Sequence, residues 1–296
     1  MNYLAYDVGG SSVKYALVDA SGNLQEKGSF ATPATLEQFY QEVVQVRQQL
    51  SEGREICGAG FSMPGAVNNQ TGIIGGSSAL DYIHEFPIRQ ALSERLGMMV
   101  TIENDANCAA LGEAWTGAGR AYRNLAYFVI GTGVGGALVH DGKIIHGPHQ
   151  HGGEFGYMVM NDDYDILSEV GSTGGLCRQL AKIRNVPVDT YDGRKVFALK
   201  EQGDADAARL IDQMYEYLAR AAYIIQYTFD PEAILFGGAI SSRPDFIPTI
   251  NEHLQKILMS VGVAHVKPKL LPCQHGNDAN LLGAVANICN FSFAIR

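Results

Sequence analysis

The stretch with the most evident chemical potential is "TIENDANCAALGEAWTGAG", which begins at Thr101. It reads as a short buried strand running straight into a helix, with Asn104 and Asp105 at the junction. Two roles fit that pair. Asn and Asp accept hydrogen bonds from the unpaired N–H groups of a first helical turn, and Glu103 and Asp105 suit the positive end of the helix dipole. Equally, a carboxylate at the carboxyl end of a strand in an α/β sheet points into the crevice where ligands bind. The fragment alone leaves both open.

Two glycine-rich turns add a second kind of chemistry. "DVGGSS" holds Gly9, Gly10, Ser11 and Ser12, and "GTGVGG" holds Gly131, Thr132, Gly133 and Gly135. Glycine permits positive φ and close backbone approach, and successive N–H groups form a concave anion site. One such turn is ordinarily a hairpin. Two in corresponding places suggest that a nucleotide's phosphates lie between them. "GTGVGG" matches G-x-G-x-x-G loosely, but it precedes a strand rather than a helix, which rejects a dinucleotide-binding reading. Asp7 stands just before the first turn, where a carboxylate can hold Mg²⁺ beside phosphates, directly or through water, or simply accept turn N–H groups. "FGGAIS" is a third strand-to-glycine junction, and Gly237 and Gly238 there would let an adenine ring lie flat against the backbone.

The elements that must position these residues follow from hydrophobic spacing. "YLAYDV", "VKYALVD" and "LQEKGSFAT" form an antiparallel meander. Phe39, Val43, Val46 and Leu50 are spaced for a helix from Leu36 to Leu50. "ICGAGFSMPG" is a buried strand, "FPIRQALSERLG" a helix with a glycine stop, and "MMVTIE" the strand before Asn104. The pattern then restarts: "NLAYFVIGTGVGGALVHDGKII" has the arrangement of "YLAYDVGGSSVKYALVDASGNL". The second half continues mostly helical, with a long run from Ala205 to Phe229, a strand at "AILFGGAIS" and a closing helix in "NDANLLGAVANICNF". The linker near Gly117 to Arg120 divides the chain into domains 1–118 and 119–296, with the helix near 281–296 packing back on the first.

The totals narrow the function classes. At 296 residues, 46% hydrophobic and 18% charged, the chain suits two domains of an ordinary globular protein. A net charge of -9 argues against a general nucleic-acid or anionic-membrane surface. Five scattered cysteines, never in a C-x-x-C pair, suit buried thiols in a reducing cytoplasm. No apolar run approaches the roughly 20 residues of a membrane helix, and the opening strand leaves no signal-peptide pattern. The closing "FSFAIR" is expected to pack rather than anchor.

Taken in order, these residues resemble the ROK sugar kinases of the actin-like ATPase superfamily, over nearly the whole chain. The matching segments are D-x-G-G-[ST]-x-x-K at Asp7, Gly9, Gly10, Ser11 and Lys14, then "SMPGAV" containing Gly65, E-N-D-A-N at Glu103 to Asn107, "GTGVGG", G-E-x-G at Gly153, Glu154 and Gly156, "ILFGGAIS" and "GNDANLLGA". The resemblance implies two α/β domains of ribonuclease-H-like topology around a central cleft. It implies ATP and Mg²⁺ as cofactors, Asp105 as general base, and Asn104, Gly65, Glu154 and Glu169 as sugar contacts. One carboxylate must accept the proton of the attacking hydroxyl, and carboxylates and carboxamides suit neighbouring sugar hydroxyls.

Two departures from the family pattern matter. Most members carry zinc on a His after G-E-x-G and on a cysteine cluster. Here that position is Tyr157 and the segment up to Cys177 has no cysteine, so no zinc is expected. His146, His149 and His151 lie close enough in sequence to suggest a replacement site, or are simply polar loop residues. "GGSSALDY" and "GEFGYM" look more like the β-glucoside kinase branch than the glucokinase branch. The expectation is therefore a cytoplasmic, homodimeric kinase for the 6-hydroxyl of a glucose-type ring, most naturally in a β-glucoside such as cellobiose, with Tyr157 beside carbon 1. The alternatives are a glucokinase or a kinase of N-acetylmannosamine or N-acetylglucosamine. A sugar-sensing ROK regulator is disfavoured, because no helix-turn-helix domain precedes Asp7.

Overall fold

A computed structural model describes residues 1–294, with side chains described as far as Cys289. The chain runs β1 (Asn2–Val8), β2 (Ser12–Asp19), β3 (Leu24–Ala31), α1 (Leu36–Leu50), β4 (Ile56–Met63), β5 (Ala66–Asn68), β6 (Ile73–Gly75), α2 (Ile88–Leu96), β7 (Val100–Asn104) and α3 (Asp105–Thr116). It continues with β8 (Leu125–Ile130), β9 (Val134–His140), β10 (Lys143–Ile144), α4 (Leu167–Val170), α5 (Thr173–Arg184), α6 (Gly193–Glu201) and α7 (Ala205–Phe229). β11 (Ala233–Gly237), α8 (Phe246–Val261), β12 (Leu270–Pro272) and α9 (Ala279–Ala294) complete it.

Two compact units result: Met1–Arg120 with Gly142–Gly152 and Asn277–Arg296, and Ala121–Asp141 with Gly153–Gly276. The single cut at 118/119 is thus too simple. Residues 142–152 and the C-terminal helix group with the first unit. The closing "FSFAIR" lies outside the described side chains.

In the first unit the sheet order is β3-β2-β1-β4-β7, with β1 antiparallel to β2 and parallel to β4. Both faces of this sheet are covered, which is why β1 is apolar almost throughout. Leu4, Tyr6 and Val8 pack with Phe39, Val43 and Leu50 of α1 and Leu92 of α2. Tyr6 stacks on Phe61 of β4 at 4.5 Å. On the other face Tyr3, Ala5, Ala16 and Val18 meet Leu281, Leu282, Val285 and Ile288 of α9. α9 also lies against α3 so closely that a Cβ on Gly283 would sit 1.6 Å from the Cys108 carbonyl oxygen. Only glycine permits that approach. The helix ends follow local chemistry. Thr35 caps α1 through its hydroxyl, and Gly97 ends α2 in the left-handed region at φ 61°.

The second unit repeats the sheet as β10-β9-β8-β11-β12, again antiparallel at the first hairpin and parallel beyond it. Its core stacks Phe128 on Phe236 at 5.1 Å, with Phe155 4.5 Å from Phe128. α7 contributes Leu210, Ile211, Met214, Leu218, Ala222 and Ile225 at helical spacing, and begins on an Asp204 cap. β5, β6, β10 and β12 are only two or three residues long, too short for a periodicity signal.

Candidate active site

The first unit gathers its charge at the carboxyl ends of β1, β4 and β7. The register aligns Asp7 with Lys14 on one side and with Ser62 on the other, and Ser62 with Glu103. Lys14 Nζ lies 3.1 Å from Asp7 Oδ2, and Ser62 Oγ donates to Asp7 Oδ1 at 3.1 Å. Asn280 of α9 donates to Ser62 Oγ at 3.0 Å and to the Asp105 carbonyl at 3.3 Å.

The Asn104–Asp105 junction divides the two roles the sequence left open. Asn104 is the cap of α3: its Oδ1 accepts from the Ala106 and Asn107 N–H groups at 2.9 and 3.2 Å. Its Nδ2 donates to the Gly65 carbonyl at 3.1 Å. Gly65 has φ +98°, and a Cβ there would press on Ile74 and His84, so the turn that aims this carbonyl needs glycine. Asp105 is the first residue of α3, with Oδ1 accepting from Ala106 N–H at 2.8 Å. Its side chain keeps an exposed surface while protein crowds its carboxyl. Desolvation raises its pKa, the Ala106 N–H opposes this, and the like charge of Asp7 adds to the rise. Solvent reaching the group screens the size of that shift.

The glycine turns are tight for reasons other than positive φ. Gly9 N–H donates to the Ser12 carbonyl at 3.1 Å, and Thr32 Oγ1 to the Gly9 carbonyl at 2.6 Å. A Cβ on Gly10 would lie 2.9 Å from Ala79 Cβ. Neither Gly9, Gly10, Gly131 nor Gly133 has positive φ, so close approach is what selects glycine at 9 and 10. Ser11 is exposed and Ser12 half-buried.

In the second unit Gly131 N–H donates to the Gly133 carbonyl at 2.9 Å. The start of α5 grips this turn. Thr173 Oγ1 donates to the Gly131 carbonyl at 2.7 Å and Ser172 Oγ to the Thr132 carbonyl at 3.2 Å. Beside it opens a cavity of about 770 Å³ lined in part by Gly131, Thr173, Gly193, Phe197, Ile240 and Arg243. The Arg243 guanidinium lies 4.1 Å over the Phe197 ring. Apolar walls with a few charged groups at the rim suit a heteroaromatic base. Gly237 and Gly238 do not line this cavity. Gly237 is buried under Tyr127, and Gly238 (φ +90°) packs on the Ile130 carbonyl. Both glycines therefore shape the end of β11, and the wall expected from them is made by Ala239 and Ile240.

Glu154, half-buried, begins the short 3-10 turn Phe155–Tyr157, and Tyr157 itself is 69% exposed. Glu169 lies in α4, with its side chain half exposed. Its carboxylate is held by Arg178 of α5, Nη2 to Oε1 at 3.0 Å and Nε to Oε2 at 3.2 Å. The side chain directed at the glycine turn is Ser168, whose hydroxyl bonds both the N–H and the carbonyl of Val134. One residue in a helical turn rotates a side chain by about 100°, which spacing in a loop cannot reveal.

The histidines do not converge. His146 Nε2 lies 2.8 Å from Glu103 Oε2, His151 Nδ1 approaches the His149 carbonyl at 2.6 Å, and His149 and His151 are exposed. Among the described residues no group of three or more His, Cys, Asp or Glu is arranged to hold a metal ion. The five cysteines are free, but only Cys108 and Cys177 are buried. No described helix is long and apolar enough to cross a membrane.

The residues that sequence reasoning missed are Ser62, Asn69, Ser168, Thr173, Phe197, Arg243 and Asn280. Partial signals existed for Thr173, which follows the N-cap Ser172, and for Ser62 and Asn280, which lie within "SMPGAV" and "GNDANLLGA".

The ROK family profile matches residues 3–289. The chain belongs to the ROK family. It is 32% identical over 292 residues to a beta-glucoside kinase of Listeria monocytogenes, covering 96% of each chain. A ROK family protein of Streptococcus pneumoniae, solved in complex with sucrose, superposes with a TM-score of 0.90 at 34% identity, over 99% of this chain and 100% of that one. A ROK family glucokinase of Streptomyces griseus, in complex with glucose and AMPPNP, superposes at 0.76 with 23% identity, over 97% and 99%, and shares the fold. That fold is the two-domain actin-like ATPase architecture, and this ROK chain is an ATP-dependent carbohydrate kinase.

Proposed function

We propose that this kinase transfers the γ-phosphoryl group of ATP to the 6-hydroxyl of a glucose-type ring, in the cytoplasm, and that its preferred acceptor is a β-glucoside such as cellobiose. The observation that carries the proposal is the Asn104–Asp105 junction. Asn104 meets the needs of the helix end, which leaves the Asp105 carboxylate available at a strand terminus. In the reaction the 6-oxygen attacks the γ-phosphorus. The new O–P bond forms as the bond to the β–γ bridging oxygen breaks, ADP leaves, and Asp105 takes the hydroxyl proton.

The donor set at Asp7 fits a magnesium ion arriving on the nucleotide. Each carboxylate oxygen takes one hydrogen bond of 3.1 Å, and its remaining lone pairs suit a water-mediated hold. When bound, the ion neutralises charge on the phosphate oxygens. Lys14 stands beside Asp7 to add positive charge at the same place. The turns at Gly9–Ser12 and Gly131–Gly135 would cradle phosphates, and the cavity beside Arg243 would take the base.

Asn104, Gly65, Glu154 and Glu169 would orient the ring, with Glu169 held by Arg178. The exposed Tyr157 ring offers an apolar face on which a second, β-linked sugar can stack, which supports the disaccharide. The similarity to a beta-glucoside kinase supports the same choice. Steady-state kcat/KM for cellobiose, glucose and N-acetylmannosamine is the test. A preference for cellobiose of roughly 10–200-fold is expected from one pocket difference. A better free monosaccharide, with β-glucosides inert, overturns the acceptor.

A further inference from the structure

The mechanism above leaves a buried charge unused. Glu103 is 1% exposed, directly before Asn104. A carboxylate removed from water is costly unless its lone pairs are filled and its charge is balanced. Oε1 accepts the Asn104 N–H at 2.8 Å and Asn107 Nδ2 at 2.9 Å. Oε2 accepts Asn69 Nδ2 at 2.6 Å and His146 Nε2 at 2.8 Å. Of these donors only His146 can bring positive charge. It does so from residues 142–152, which leave the second hairpin to join the first unit.

Accepting the kinase reading of the site, we infer that His146 is a positioning residue for the Asn104–Asp105 pair, acting through Glu103. The linkage is short and covalently anchored. Oε1 of Glu103 holds the Asn104 backbone N–H, so the place of the carboxylate sets the entry of the chain into α3. Asn104 then spends its two side-chain groups on the α3 cap and on the Gly65 carbonyl, and Asp105 follows as the first helical residue. Asn69, from the loop joining β5 and β6, also supports Oε2, its Nδ2 lying 3.1 Å from His146 Nε2, but carries no charge. Without His146 the buried carboxylate keeps three neutral donors and an unbalanced charge. It then turns toward water, drawing Asn104 with it. The bond to Glu103 also raises the pKa of His146, which favours the charged partner.

The experiment compares full-length His146→Ala and His146→Gln with the parent, at saturating ATP and cellobiose. Gln restores a donor near the Nε2 position without the ring. For His146→Ala, kcat is expected to fall on the order of 10-fold, the scale of a small misplacement at a reacting centre, with the KM for ATP unchanged. His146→Gln, which restores a donor but no positive charge, is expected to recover only part of it. A purely structural role would instead lower melting temperature and leave kcat per folded enzyme intact. If His146→Ala keeps kcat within about two-fold of the parent, the inference is wrong. A crystal structure of His146→Ala decides independently of any kinase activity. Loss of the Asn104–Gly65 hydrogen bond supports the role, and an unmoved Asn104 and Asp105 overturn it.

Discussion

Across the first sheet, level with the end of β1, the register aligns Lys14, Asp7, Ser62 and Glu103. At the corresponding level of the second sheet it aligns Gly135, Val129 and Gly237. Strand order, direction and hairpin are the same in both. What differs is one row of side chains. The first unit fills that row with ionisable and hydroxyl groups, which in the proposed mechanism hold a metal-bound phosphate beside the base Asp105. The second leaves it apolar and small, and works through the backbone of its turn and an adjoining cavity. The fold therefore supplies a position twice, and in the proposed mechanism the residues give chemistry to the first copy and binding to the second.

That division of labour makes unequal demands on mutants. The largest loss is expected in the charged unit. Asp105→Asn keeps the shape, and Asn104 still caps α3, but the amide accepts no proton. Turnover should drop roughly 10²–10⁴-fold with an unchanged melting curve. Near-parental turnover in a folded Asp105→Asn enzyme would mean that Asp105, beside the charged row, is not the base. In the second unit the expected loss is smaller and of another kind. Removing the guanidinium that covers Phe197, in Arg243→Ala, should raise the KM for ATP about 10-fold with kcat little altered, the scale of one stacking contact. A fall in kcat at unchanged KM would erase the contrast between the units.

A pH profile probes the same contrast more gently. Burial and Asp7 raise the Asp105 pKa, and the base must be deprotonated to act. As pH falls through that raised value the protonated fraction grows and kcat/KM declines, so the acid limb should lie above the range of an ordinary aspartate. A limb at the ordinary position would show that solvent screens the site fully. The smallest expected effect concerns metal. With Tyr157 exposed and His146 committed to Glu103, extensive chelation should leave the melting temperature unchanged, and elemental analysis should find no zinc. One zinc per chain, lost together with stability, would return attention to His149 and His151.

From sequence alone came the elements with strong periodicity or clear caps. α1 and α7 occupy the residues expected from their apolar spacing, and the doubled hairpin announced two similar sheets. Both follow from local physics, since a buried stripe and a capping side chain are written in consecutive residues. The Asn104–Asp105 junction and the two glycine turns were legible for the same reason. Tertiary structure decided what depends on residues far apart in the chain. The 43-residue separation of Glu103 and His146 carries no signal in spacing, yet the fold brings them within 2.8 Å. Ser168 bonds Val134 across the fold while its neighbour Glu169 pairs with Arg178. Ala239 and Ile240, not the glycines before them, line the cavity, because Gly237 and Gly238 are used for close packing. A sequence states which groups can hydrogen-bond or fill a wall, and only the packed chain settles which partner reaches each one first.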